Sequence, residues 1–406
     1  MVIRPDQVQL TARPRQAAQP PPSGEPVDRF EKGWLAPLKR LFAPPAREWT
    51  VVVYSNGNSD LETQEHSKID RLADPGSSKT TDFVAQISSG SRGGQAQRLH
   101  LARKGAFDPC TKRPDRVEEL GKTNMGARQS FIDFLLWAHR EYPAEHFMVI
   151  FGGHGEGPKG GLHDDLHGQG LSPQDLQAGL AALQVARGGQ KAEVVVADSC
   201  LLGGAEIGYQ LKDHAEFYLG SEEVISTAGL DYARLGKGMR ARNLDARDAV
   251  DVVINSLNPV SSLTFSAQDL SQMESFAGAL AQFRQAAAAA DQGQRLSELA
   301  SQSQHFMRTQ EVGPQAEGHS FQRLRDVGHF AQLVAEDEGL GPELRQAAHQ
   351  LGQAVRQTVV ENRFYSVDYE HAQGMSLHLA GDHEEGPGAY YADLDLSRDS
   401  GWDGKV

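Results

Sequence analysis

Residues 191–206 read KAEVVVADSCLLGGAE. An apolar, β-branched run ends in Asp198, Ser199 and Cys200, and Gly203 and Gly204 then open a helical stretch. Residues 146–151, HFMVIF, end the same way in Gly152, Gly153, His154 and Gly155. Short apolar runs bounded by glycine turns read as buried strands. Each strand would deliver one reactive side chain, a thiol or an imidazole, at its carboxyl end, where ligands collect in open α/β sheets.

Working outward, residues 48–54, EWTVVVY, form a strong first strand that ends in the turn Ser55, Asn56, Gly57, Asn58, with a helix starting near Asp60. Strands are expected near 84–88 and 97–103, and a long helix carries Phe131, Phe134, Leu135 and Ala138 on one face. Ser172 and Pro173 pair an N-cap with a proline at the first helical position. A strand over 217–219 follows the Cys200 segment and its helix. Alternating strands and helices imply right-handed crossovers and a mostly parallel sheet. The second half changes character, with helices expected over 245–257, 267–290, 295–307, 321–335 and 342–360, and a last strand over 375–379. The expected fold class is α/β with a largely helical C-terminal region. Three parts follow: a Pro-rich leader over 1–47, a core over 48–258, and a helical region with closing strands over 259–406. In the leader, Phe30, Trp34, Leu35, Leu38, Leu41 and Phe42 are spaced for one face of a short helix.

The chain has 406 residues, 39% of them hydrophobic and 23% charged, which is globular composition. A net charge of −14 argues against a nucleic-acid or anionic-membrane partner, which would need a basic footprint. No apolar run approaches the length of a membrane span, and the N-terminus lacks the apolar segment of a secretory signal. Cytoplasmic residence is the default expectation, with export by another route the alternative. The two cysteines, Cys110 and Cys200, suggest no disulfide framework. Cys110 sits in a loop with no strand end to position it, so a structural or incidental role is expected there rather than catalysis.

A cysteine nucleophile acts as thiolate, and a nearby imidazole with helix-terminal amides lowers its pKa. Cys200 lies where strand, sharp turn and helix meet, and Gly155 could offer an unshielded backbone N–H to an oxyanion. The bare residues leave a second reading open, in which Cys200 is one more small buried side chain. Asp198 is either a pocket carboxylate for a cationic side chain or a strand-end turn residue. The cluster His163, Asp164, Asp165, Leu166, His167 reads as a solvated loop, too compact in sequence for a metal site of its own. The glycine-rich loop 152–161 lacks Walker spacing, and Pro158 removes an amide donor.

Taken together, WTVVVYSNGNSDLE (49–62), LGKTNMGARQSFIDFLLWAHREYPAEHFMVIFGGHGEG (120–157), ADSCLLGGAEIGYQL (197–211), LGSEEVISTAGLDY (219–232), GMSLHLA (374–380) and YYADLDLSRDSGWDGKV (390–406) resemble, in order and spacing, the clostripain family of cysteine peptidases, relatives of caspases, gingipains and legumains. The resemblance implies a caspase-like three-layer α/β/α sandwich and a Cys–His dyad. Cys200 would be the nucleophile, His154 the general acid/base, and the N–H groups of Cys200 and Gly155 the oxyanion donors. Members typically cleave after Arg or Lys, which makes Asp198 the S1 carboxylate and Asp231 a candidate second one. The implied partner is a peptide or protein with a basic P1 residue. No cofactor is needed for the chemistry. Several members need Ca2+ and mature by cutting a loop after the histidine, and Lys159 is the basic residue best situated for such a cut. The family's usual Asp-Gly-Asp in the first turn is Asn56, Gly57, Asn58 here, which weakens a calcium or substrate role for that turn. Its Gly-Trp-x-Tyr element reads Gly229, Leu230, Asp231, Tyr232. The rival expectation is a catalytically silent caspase-like scaffold that binds a partner.

Overall fold

The computed structural model describes residues 47–102, 117–226, 229–259, 264–306, 323–381 and 383–406. The leader patch and Cys110 lie outside these residues. The core is a nine-stranded sheet in the order β12-β10-β9-β8-β5-β1-β2-β3-β4. Its centre is built from β1 (Arg47–Ser55), β2 (Thr81–Ser89), β5 (Ala144–Gly152), β8 (Ala192–Asp198) and β9 (Ala215–Gly220). Neighbours within this group run parallel. Antiparallel strands extend it on both sides: β3 (Gln95–His100) and β4 (Val117–Lys122) beyond β2, β10 (Thr264–Asp269) and β12 (Val359–Phe364) beyond β9.

Both faces of the parallel strands are covered, which is why their sequences are continuous apolar runs rather than alternating ones. The period of two is still present, because it sorts side chains between two cores. Val52, Tyr54, Val195 and Ala197 enter one core with helices α2 (Arg128–Glu141), α3 (Pro173–Ala186), α7 (Met273–Ala290), α9 (Val327–Glu336) and α10 (Pro342–Thr358). Val51, Val53, Val194 and Val196 enter the other with α1 (Glu62–Ala73), α5 (Tyr232–Gly238) and α6 (Ala246–Ile254). The result is the expected three-layer α/β/α sandwich. At α3 the Ser172 and Asp175 side chains and backbones satisfy one another in a capping box. Trp402 closes the chain from a fully buried position, its indole N–H donating to the His378 carbonyl at 3.1 Å.

The helices expected over 267–290 and 342–360 are each shortened by a strand. Residues 264–269 and 359–364 pair with each other and extend the sheet, so α7 begins only at Met273 and α10 stops at Thr358. Partner strands decide such segments against their helix propensity. Both strands lie beyond residue 258, so the helical C-terminal region also supplies part of the central sheet. Strand β4, VEELGK, has no counterpart among the expected elements. It is a charged, half-exposed edge strand without an apolar pattern to reveal it. Among the described residues no helix is long and apolar enough to cross a membrane.

Candidate active site

Chain order sets the location. From β1 the chain moves one way to β2, and from β5 the other way to β8 and β9, so the strand order reverses between β1 and β5. A crevice at the carboxyl ends of the strands is expected at such a reversal. A cavity of about 220 Å³ opens beside it, lined in part by Glu65, Lys68, His154, Asp198, Ser199 and Cys200. Three strand ends and one helix thus converge. His154 follows β5, Cys200 follows β8, and α1, which follows β1, brings Glu65 and Lys68.

The turn after β8 is tight. Leu201 has φ +63°, a left-handed conformation that a branched side chain adopts only under tertiary constraint. The Leu201 and Gly203 amides donate to the carbonyls of Glu223 and Ser221, which hold the turn open. Helix α4 (Ala205–Leu211) follows directly. Gly155 lies against this turn so closely that a Cβ there would come within 1.9 Å of the Cys200 carbonyl oxygen. The Cys200 thiol is half-buried and sits 3.8 Å from the Ile225 carbonyl. Burial pushes its pKa above the ordinary thiol value, and Glu223 and Asp198 add to the rise; the Ile225 contact and the Lys68 ammonium work against it. A resting thiol is therefore protonated.

His154 is partly exposed, and its Nε2 lies 2.6 Å from Asp60 Oδ1. Asp60 thereby becomes an orienting partner for the imidazole and leaves Nδ1 free to serve another group. Sequence reading saw Asp60 only as a helix start.

Asp198 lines the cavity but is not an open carboxylate. Its Oδ2 is held by Lys68 Nζ at 2.9 Å and by the Tyr232 hydroxyl at 3.0 Å. Lys68 also reaches Glu65 Oε1 at 2.7 Å, and Glu65 Oε2 accepts from Ser55 Oγ at 2.5 Å. Burial alone would depress the Lys68 ammonium, but Asp198 and then Glu65 outweigh it and hold the group above the usual lysine value. Sequence reasoning missed Glu65 and Lys68. A signal was present, since Glu65, Lys68, Ile69 and Leu72 share the i, i+3, i+4, i+7 face that should be wholly apolar.

Asp231 is not brought into the cavity. It caps α5, accepting from the amides of Ala233 and Arg234, both at 3.1 Å, with Arg71 at 3.4 Å. Lys159 ends a 3-10 turn, Gly157–Lys159, and does not line the cavity. Its ammonium lies 5.6 Å from the Tyr390 ring centre, and the flanking chain is pinned by Glu156 N–H to the Gly160 carbonyl and Leu162 N–H to the His154 carbonyl.

The first turn is structural. Asn56 Nδ2 donates to the carbonyls of Leu162 and His163, and Asn58 Nδ2 donates to Asp164 Oδ2 at 2.8 Å and to the Thr123 carbonyl. These amide donors face acceptors, so the turn does not fit a cation. Asp164, expected in a solvated loop, is fully buried and also caps the amides of Met125, Leu166 and His167. Its carboxylate is used up in holding the β6–β7 hairpin (Gly161–Asp164 and Gln169–Leu171) against the first turn. Among the described residues no group of three or more His, Cys, Asp or Glu side chains is arranged to hold a metal ion.

The fold is shared with solved proteins. A secreted C11 cysteine protease from Bacteroides thetaiotaomicron, in complex with an irreversible peptide inhibitor, superposes with a TM-score of 0.65 at 15% identity, over 88% of this chain and 100% of that one. A second structure of a secreted C11 protease from that organism, iotapain, gives 0.66 at 16% identity with the same coverage. An inactive zymogen C11 protease from Parabacteroides distasonis gives 0.60 at 15% identity, over 88% of this chain and 99% of that one. At such identities the likeness establishes the fold. No curated relative matches the chain. The model of the clostripain family, however, matches residues 102–403, which include the strand ends bearing His154 and Cys200. The chain therefore belongs to the clostripain family of cysteine peptidases.

Proposed function

We propose that this peptidase is an endopeptidase that cleaves after basic residues, with Cys200 as nucleophile and His154 as general acid/base. The observation that carries the reading is the common cavity of His154, Cys200 and the acidic floor of Asp198, Glu65 and Lys68. Because burial keeps the thiol protonated, attack requires a base. The His154 imidazole takes the Sγ proton as sulfur bonds to the scissile carbonyl carbon. The oxyanion is met by the backbone N–H groups of Cys200 and Gly155. Collapse breaks the C–N bond, and the imidazolium gives its proton to the departing amine. Water, deprotonated by the same imidazole, then attacks the thioester and releases the acid and the thiol.

Two carboxylates and one ammonium leave the pocket floor with a net negative charge, which favours a cationic P1 side chain. Self-cleavage after Lys159 would need that turn to open first, since its neighbours are hydrogen-bonded in place. The test is turnover of fluorogenic peptides with basic and neutral P1 residues by wild type, Cys200→Ala and Asp198→Ala. Cys200→Ala should abolish turnover, and Asp198→Ala should lose basic-P1 cleavage selectively. Equal turnover by wild type and Cys200→Ala would reject the nucleophile, and an unchanged P1 profile in Asp198→Ala would reject the pocket.

A further inference from the structure

The Asp198 carboxylate is divided between its two oxygens. Oδ2 is committed to Lys68 and Tyr232. Oδ1 is buried without a hydrogen-bond partner, in a residue only 3% exposed. A buried acceptor left unpaired costs about 1–3 kcal/mol, so such a group in a cavity wall is one that a ligand can satisfy. Gly229 faces this oxygen with φ +50°, and a Cβ at that position would come within 2.4 Å of it. Glycine therefore keeps side-chain atoms off this edge of the carboxylate. Ser199 Oγ, buried in the wall of the same cavity, also has no partner.

An arginine and a lysine use such a site differently. A guanidinium is a rigid fork that pairs with both oxygens of a carboxylate, and buried N–H groups left over are costly. An ammonium is a compact charge with three rotatable donors and is satisfied by single acceptors. With Oδ2 taken, the fork has no second carboxylate oxygen for its bidentate pairing, whereas an ammonium needs no such pair and can donate singly to Oδ1 and to Ser199 Oγ. Resting on the basic-P1 reading above, we infer that Lys68 is a specificity-determining residue: by occupying one oxygen of Asp198 it makes the site select lysine over arginine at P1.

The test compares kcat/KM on two fluorogenic peptides identical except for Lys or Arg at P1, using the full chain. Wild type should prefer Lys by about tenfold, the size of one charged hydrogen bond. Lys68→Met, which leaves Oδ2 with the Tyr232 hydroxyl alone and opens its other lone pair, should move the Lys/Arg ratio toward Arg by about tenfold or more. Since Lys68→Met leaves two carboxylates face to face, the double variant Glu65→Gln/Lys68→Met, which keeps the floor's net charge, is measured beside it and should show the same shift. A wild type that prefers Arg, or treats both alike, overturns the inference and leaves the basic-P1 reading standing. An unchanged ratio in the double variant removes Lys68 as its cause. Cleavage of neutral-P1 peptides with neither basic one cut overturns both readings together.

Discussion

At the scale of single residues, the site depends on side chains with no motif of their own. Asp60 reaches His154 Nε2 at 2.6 Å although its own side chain is largely exposed. On the proposed dyad it is a positioning residue that holds the ring in one orientation, and solvent limits what the contact is worth. Asp60→Ala should therefore lower kcat by about tenfold while leaving KM nearly unchanged, an effect of about 1.4 kcal/mol. Asp60→Asn, whose side-chain oxygen can accept the same bond, should recover most of the loss. Steady-state kinetics on a basic-P1 peptide checks both, and a loss confined to KM would remove the positioning role. Asp198 teaches the same lesson. Its place two residues before Cys200 is legible in the chain, but its pairing with Lys68 joins residues 130 positions apart and follows only from the packing of α1 over the strand ends.

Elements explain why the first turn departs from the family pattern. Asn56 and Asn58 are buried, and their side-chain N–H groups point at carbonyl oxygens and at Asp164. A carboxylate has no donor to offer there, so the amides are required by the β6–β7 hairpin packed beneath them. Asn58→Asp should set two carboxylates against each other at the 2.8 Å separation now bridged by a hydrogen bond. A loss of about 3 kcal/mol is expected, read as a lowered Tm at neutral pH. Recovery of the lost stability as pH falls into the carboxylate range would show that charge, not size, is responsible. An unchanged Tm would mean that the turn is not held by this contact. The strand ends bearing His154 and Cys200 were plain in the sequence, because apolar runs stopped by glycines are a local signal. Strands β10 and β12 were not. Each reads locally as the edge of a helix and becomes a strand by pairing with the other.

Across the whole molecule, a buried acid pair ties the sheet to the C-terminal helices. Glu222, beside the Cys200 turn, is fully buried next to the Asp326 carboxylate. Burial, reinforced by the adjacent Asp326 carboxylate, pushes its pKa well above the ordinary glutamate value, so it keeps its proton and donates toward Asp326. Asp326 caps α9 and is itself pushed up to about 6, chiefly by burial. A raised acid contributes stability that is complete below the unfolded-state pKa and is lost as pH climbs above it. The pair should thus weaken the fold as pH rises from about 4 through 6, the Asp326 window, with Glu222 continuing the loss above it, at up to about 1.4 kcal/mol per pH unit for each proton retained. Glu222→Gln, which still donates to Asp326, should flatten that slope. Thermal unfolding of the two proteins across this range checks it, with equal slopes the contrary result. What the sequence by itself determined was the alternation of strands and helices, the family, and the two strand ends that carry a thiol and an imidazole. These rest on local periodicity and on residues close together in the chain. The tertiary structure decided the rest: that Lys68 occupies one oxygen of Asp198, that Asp231 caps a helix instead of lining the cavity, and that Asp60 meets His154. Each is a pairing of charges across folded elements, and such pairings exist only once the sheet has brought distant strand ends to one crevice.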